Sequence, residues 1–295
     1  MEHRQIELFL AVAERLNITD AADAHNISQP GLSKSMQRLQ RELGTRLYQR
    51  RGRGIELTEA GQALLRHARR IEQQLTQASD EVRGIANGIC GHVRVGAGPS
   101  WLRRHVPEAI AALTVSHREL RFTVRAGFPE QLMQQLRRGE LDLVIAALPD
   151  QRVDPDLRFS RLTADAVRVV SAAGHPLAGR PHRRLADYAA CRWVLPGQHE
   201  VVRQRLVEAF RAEGLPDPVA AVESDSVSFM LATVRHSDLL GIATMNAYEM
   251  PGVVSREHER LSFSRDAGII TRRHADLSTS VRLLATQLRR VLTVR

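Results

Sequence analysis

The sequence has no long apolar run. No stretch of its 295 residues approaches the roughly 18 apolar residues of a membrane span, and Met1 to Leu10 carry charges where a signal peptide would be apolar. A cytoplasmic protein with no membrane partner is the expectation. Cysteine is nearly absent: Cys90 and Cys191 lie far apart without C-x-x-C spacing, which excludes a metal knuckle and a disulfide framework and leaves two buried free thiols. Lysine occurs once, as Lys34, so the basic character is carried by arginine, which stays charged at any physiological pH. Reaction signatures are missing as well. There is no G-x-x-x-x-G-K-[ST] and no G-x-S-x-G, and His199-Glu200 lacks the second histidine of H-E-x-x-H. His199, His258 and His274 read as surface residues, with no histidine pair at ligand spacing beside a carboxylate. These absences predict no catalytic residues, no metal and no cofactor.

The length and a hydrophobic content of 43% suit about two domains of roughly 100 to 200 residues each. The 42 Lys plus Arg exceed the 33 Asp plus Glu, which favours a polyanionic partner. The excess is local: Lys34, Arg38, Arg41, Arg46, Arg50, Arg51 and Arg53 face Glu42 alone within residues 34–53.

From Ile6, the residues Leu8, Phe9, Leu10, Val12, Ala13 and Leu16 form the apolar face of an opening helix. Thr19 is then a candidate cap for a short helix Asp20 to His25, whose Ala21, Ala22 and Ala24 permit close packing. Ser28 can cap a third helix with Pro30 in its first turn. Leu32, Met36, Leu39 and Leu43 make one buried stripe, and Gln29, Ser33, Lys34, Gln37, Arg38 and Arg41 make the opposite face. That face is either solvated or a DNA-reading surface, since Gln and Ser bond base edges and Lys and Arg bond guanine or phosphate. Two short helices joined by a tight turn form a helix-turn-helix, spanning about 18–37. Gly44 stops the third helix, Leu47 and Tyr48 are apolar anchors, and Arg50 to Leu57 reads as two short strands around a glycine turn, a wing whose Arg50, Arg51 and Arg53 would meet phosphates or the minor groove.

This segment resembles the LysR-type transcription regulators. The resemblance rests on Ala21-Ala22, the run Ser28-Gln29-Pro30-Gly31-Leu32-Ser33, then Leu39, Leu43-Gly44, Leu47-Tyr48, Arg50, Arg53 and Leu57-Thr58-Glu59-Ala60-Gly61. His25, where the family usually has leucine, and Tyr48, where phenylalanine is commoner, depart from the pattern. The resemblance implies a homodimer or homotetramer on double-stranded promoter DNA, a small-molecule effector and RNA polymerase as a partner. Candidate DNA-binding residues are Ser28, Gln29, Pro30, Ser33, Lys34, Gln37, Arg38, Arg50, Arg51 and Arg53. After Thr58, the residues Leu64, Leu65, Ala68, Ile71, Leu75, Ala78, Val82 and Ile85 recur at three and four, a long helix with a coiled-coil-like seam that predicts dimerisation.

The fold expected is α/β: a winged helix-turn-helix over 1–60, a linker helix over 58–88, and an effector domain over 91–295. Strand 92–97, helix 102–116, strand 121–125, helix 130–138 and strand 141–146 predict a parallel sheet, with ligands beyond the strand C-termini. That selects Ser100, Trp101, Gly127, Phe128 and Ala147, with Ser100 either capping a helix or offering its N-terminus to a small anion. A second series (strand 167–171, strand 193–195, helix 201–213, strand 220–222, helix 227–235) makes a second lobe. The resemblance implies two lobes like those of periplasmic binding proteins, crossed near Arg161 and Asp266, with lobe I as 91–161 plus 267–295 and lobe II as 162–266. Pro196, Gly197, Gln198, Ser224 and Asp225 are the second lobe's candidates for the cleft, Asp225 being equally a helix cap. Two other readings stand: a solute-binding protein, which would need export, and a redox-sensing regulator on Cys90 and Cys191. A pyridoxal-phosphate enzyme needs a lysine, and Lys34 sits in the third helix.

Overall fold

A computed structural model describes residues 1–52, 54–87, 90–150, 154–179, 184–244 and 250–293, apart from the side chains at 77, 80, 81 and 83–87. The chain divides into two compact units, one made chiefly of residues 1–88 and one of the remainder.

In the first unit, α1 (His3–Arg15) buries Ile6, Leu8, Phe9, Leu10, Val12 and Ala13. Leu16, expected on that face, is instead exposed: it caps α1 in the left-handed conformation, and its carbonyl accepts a hydrogen bond from the Ile55 amide at 2.9 Å. The cap of α2 (Ile18–Ala24) is Asn17, whose Oδ1 accepts from the amides of Thr19 and Asp20; Thr19 lies inside the helix. Asn outranks Thr as a cap, so the helix starts earlier than expected. Asn26 takes φ 52° in the turn that follows. Ser28 caps α3 (Gln29–Leu43), its Oγ accepting from Gly31, and Gly44 closes it at φ 66°. Leu32, Met36 and Leu39 are fully buried against α1 and α2, each burial stabilising by about 1.5–3 kcal/mol. Leu43 continues their spacing but is 41% exposed, because it is the last helical residue before the chain turns at Gly44.

β1 (Tyr48–Arg51) and β2 (Gly54–Leu57) pair antiparallel with Arg51 opposite Gly54, and Gly52 turns at φ 58°. In α4 (Glu59–Asn87) the capping Thr58 Oγ1 accepts from Gly61 at 3.1 Å. Gly61 itself is dictated by space, since a Cβ there would lie 1.9 Å from the Leu47 carbonyl oxygen. Leu65 and Ala68 pack into the core beside α1, whereas Leu75, Ala78 and Val82 are exposed. Ile85, the last seam position, lies among the side chains not described.

The second unit contains β3 (Gly91–Ala97), α5 (Pro99–Leu102), α6 (His105–Ser116), β4 (Leu120–Ala126), α7 (Pro129–Arg137), β5 (Leu143–Ala147) and β6 (Leu157–Ala172). It continues with α8 (Leu185–Ala189), β7 (Arg192–Leu195), α9 (Val201–Ala212), β8 (Val219–Glu223) and α10 (Val227–Arg235). β9 (Gly241–Thr244), β10 (Val253–Arg256), β11 (Phe263–Arg272) and α11 (Thr279–Thr293) complete it. β4, β3 and β5 are parallel, as their alternation with helices requires, and β11 joins β5 antiparallel, so the sheet is mixed.

β6 and β11 are long antiparallel partners, from Phe263 opposite Val167 to Arg272 opposite Leu157. Arg161 and Asp266, the expected crossings, both lie inside this pair. β6 runs well beyond the expected 167–171 because Arg158, Ser160 and Arg161 give its first half no apolar alternation. A register shift falls at Ala267/Gly268, where a Cβ on Gly268 would meet the Ser160 carbonyl oxygen at 2.1 Å. The far half of β6 carries β9 and β10, and β7 joins β8 in parallel and touches Leu240. One core gathers Val93, Val95, Trp101, Val106, Leu143, Ile269 and Leu284; another gathers Val167, Tyr188, Trp193, Phe210 and Ile242, with Trp193 and Phe210 edge to face.

Candidate functional site

Two surfaces carry chemistry, one in each unit. In the first, α3 has a buried side of Leu32, Met36 and Leu39 and an outer side on which Gln29, Pro30, Lys34, Gln37 and Arg38 are exposed and Ser33 is half-buried. Gln29 Nε2 donates to Ser33 Oγ at 2.9 Å, one turn apart, so the amide is held in place on the exposed face. Ser28 spends its hydroxyl on the cap, which makes it a positioning residue. The basic cluster is less one-sided than its sequence suggested. Arg38 pairs with Glu42 and with Glu2, both at 3.1 Å, and Arg51 pairs with Glu56 across the hairpin at 2.9 Å. Such exposed pairs are worth about 0–1 kcal/mol, so a phosphate can displace the carboxylate at small cost. Arg50 is exposed on β1, and Arg53 lies outside the described residues.

In the second unit a cleft of about 550 Å³, its open mouth included, is lined by Gly98, Pro99, Ser100, Phe128, Pro129 and Ala147 from one side. Pro196, Glu200, Val202, Val227, Met230, Ile242, Ala243 and Thr244 face it from the other, with Val167 and Arg265 supplied by the crossing strands. The strand-end rule works here: β3, β4, β5 and β7 all deliver their C-terminal loops to this space. Of the expected residues, Ser100, Phe128, Ala147 and Pro196 line it. Six do not. Trp101 is buried in the core beside His105, and Gly127 and Gly197 lie off the cleft wall. Gln198 and Asp225 are exposed, and Ser224 turns its hydroxyl to the Ser226 amide. The cap of α10 is Ser226, whose Oγ accepts from Phe229, so Asp225 is not the cap.

Ser100 is not at the start of a long helix. The expected helix 102–116 is broken at Arg103-Arg104 into α5 and α6, and a four-residue turn offers little dipole to an anion. The Ser100 hydroxyl instead donates to Asp165 Oδ2 at 2.8 Å. Asp165 is 1% exposed, and its Oδ2 lies 3.6 Å from Arg265 Nη2, an ion pair too long for a hydrogen bond. Burial works against the Arg265 charge, and Asp165 and Glu200 support it. Burial also pushes the Glu200 carboxyl up; Glu130 adds to this, while Arg265 and His199 oppose it. Arg265 Nε and Thr244 Oγ1 are buried with no hydrogen-bond partner among the described residues.

Both units have counterparts among known proteins. Residues 3–62 match the bacterial regulatory helix-turn-helix protein model of the lysR family, and residues 86–293 match the LysR substrate binding domain. The chain belongs to the LysR family. It is therefore a transcription regulator with a DNA-binding helix-turn-helix and an effector-binding domain. This LysR-family regulator is 33% identical to the HTH-type transcriptional regulator GbpR of Azospirillum brasilense over 80% of its own length and 69% of the relative's. It is 32% identical to the HTH-type transcriptional regulator PcaQ of Agrobacterium fabrum over 82% and 78%. Full-length CbnR complexed with its target DNA has the same fold, with a TM-score of 0.70 and 22% identity over 99% of this chain and 100% of that one.

The sequence reading missed Arg265, Thr244, Glu200 and Asp165. A charged pair buried on two strands was the available signal, but only the register of β6 and β11, with Arg265 opposite Asp165, brings the two together. Both cysteines are half-buried rather than buried; Cys191 gains no reactive character, since burial and the nearby Asp187 and Asp238 push its thiol up and its Sγ–H is directed at the Asp187 carbonyl. Among the described residues no group of three or more His, Cys, Asp and Glu could hold a metal, and no helix is long and apolar enough to cross a membrane.

Proposed function

We propose that this regulator reads promoter DNA with Gln29, Ser33, Lys34 and Gln37 on base edges, and that Arg50, Arg51 and Arg53 neutralise phosphates, joined by Arg38 once it releases its carboxylates. The observation carrying this is the clean division of α3: Leu32, Met36 and Leu39 are fully buried, while Gln29, Lys34 and Gln37 point outward. A helix so divided presents a single polar face of major-groove width. The second half of α4 leaves Leu75 and Val82 exposed, 46% and 68%, and their burial against a second copy makes the working unit a homodimer that pairs into a tetramer. A small organic anion in the cleft alters lobe closure and thereby the spacing of the paired reading heads. It shifts an existing equilibrium by its differential affinity for the two forms, so activation and repression follow the same physics.

RNA polymerase is the partner through which promoter occupancy becomes transcription. The protein works in the cytoplasm, without a cofactor and without catalysing a reaction. The anion preference rests on Arg265 rather than on a helix end at Ser100. Of the alternatives, a solute-binding protein has no use for the divided α3, and a peroxide sensor needs a low-pKa thiol where Cys191 has a raised one.

Selection of bound fragments from genomic DNA by the purified full chain tests the reading. A shared motif with two related half-sites is expected. Recovery of unrelated fragments in proportion to their abundance would refute it.

A further inference from the structure

We infer that Arg265 recognises the charge of the effector, and that the effector is an organic monocarboxylate whose apolar body fills the cleft and whose second contact is the Thr244 hydroxyl. This rests on the cleft being the effector site.

Arg265 is set by its strand. Its Cα is paired across β11 and β6 with Asp165, and its side chain is 15% exposed. Asp165 stabilises the charge but leaves Nε without a hydrogen-bond partner among the described residues. Its Oδ2 already accepts from Ser100 and stands 3.6 Å from Nη2. The Nε–H edge of a guanidinium, with the neighbouring Nη–H, is a planar fork that matches the two oxygens of a carboxylate. Thr244 Oγ1, at the end of β9, is a second unfilled polar atom on the same wall.

The remaining chemistry narrows the class. Among the described residues, Ser100, Glu200, Thr244 and Arg265 bring polar side chains to the wall; Phe128, Val167, Val227, Met230 and Ile242 are among the apolar rest. A sugar or hydrated phosphate would leave hydroxyls or oxygens unpaired against these groups. The charge balance excludes more. Arg265 and Asp165 cancel, so a cationic amine would meet the guanidinium, and a second carboxylate on the ligand would meet Glu200 with Glu130 near it. One negative charge on an otherwise apolar molecule satisfies the open donors and no more. The Ser100 to Asp165 bond ties α5 to the crossing strand, so an anion pulling on Arg265 acts on both lobes at once.

Isothermal titration of the full chain tests this with benzoate, phenylacetate and isovalerate, the methyl ester and amine of each skeleton, and phthalate as a dianion. At least one monocarboxylate is expected to bind, with its ester, its amine and the dianion at least tenfold weaker. Arg265→Gln is expected to weaken the acid about 10- to 150-fold, and Thr244→Val about 2- to 10-fold. Binding of an ester, an amine or phthalate as tight as the acids, an acid affinity unchanged in a cooperatively melting Arg265→Gln, or no acid binding at all would each overturn the inference. If Arg265→Gln does not melt cooperatively, the acid-to-ester ratio on the unaltered chain and the Thr244→Val titration decide. An acid that binds through Arg265 yet leaves operator affinity unchanged contradicts the regulatory reading alone.

Discussion

Thr244 is 7% exposed, and its hydroxyl has no partner among the described residues. An unmet buried hydroxyl costs about 1–3 kcal/mol, and valine has nearly its shape without the polar atom. Thr244→Val is therefore expected to stabilise the ligand-free chain by about 1 kcal/mol, a rise of about 2–4 °C for a domain of this size in differential scanning calorimetry. A lowered melting temperature would mean the hydroxyl is satisfied. Glu200 gives a pH-dependent counterpart. Burial and Glu130 lift its carboxyl above the ordinary value of 4.5, so the folded chain holds that proton more tightly than the unfolded chain does. Its stabilising contribution is full below that ordinary value and is lost as pH rises through the raised one. Melting temperature should then fall with pH in that window more steeply for the parent chain than for Glu200→Gln; parallel profiles would count against the assignment. These residues were illegible in the sequence, because Thr244, Glu200 and Arg265 lie on different strands and loops with no shared spacing. Ser28 and Pro30 could be read, because capping chemistry is local.

Among elements, helices were the readable class. α3, α4, α9 and α10 fall within a few residues of their periodic patterns, since a 3.6-residue apolar repeat needs only one packed face. Strands β9, β10 and β11 and the first half of β6 were missed because their burial follows neighbours far along the chain and their sequence does not alternate cleanly. Gly61 shows the same limit within a recognised motif. Its identity was legible, but its reason, the carbonyl of Leu47 packed against the first turn of α4, is tertiary. Gly61→Ala must move that segment or the helix, and a loss of about 1–3 kcal/mol is expected in urea unfolding; a loss near zero would show that the wing gives way freely. Farther along α4, Leu75→Glu with Val82→Glu is expected to shift sedimentation from dimer or tetramer toward monomer. An unchanged sedimentation profile would place the interface elsewhere.

At the scale of the whole molecule, one unit reads DNA and the other reads a ligand, and the charges of the first divide into two classes with different signatures. With Arg50 and Arg51 proposed as phosphate contacts, replacing both by alanine should lower the salt slope of binding by about 0.9 for each phosphate no longer neutralised, while leaving sequence preference intact. Arg51 tests this at little structural cost, because its partner Glu56 is itself solvated. Lys34 is the opposite case, an exposed cation on the outer face of α3 whose substitution disturbs no buried packing. The most direct measurement is the affinity of the full chain and of Lys34→Ala for a selected duplex and for a scrambled one, at fixed salt. The parent chain is expected to prefer the selected duplex by about a thousandfold or more, and Lys34→Ala to lose about 1–3 kcal/mol on that duplex while the scrambled one changes far less. Equal affinity of the parent chain for both duplexes would show that α3 does not read sequence.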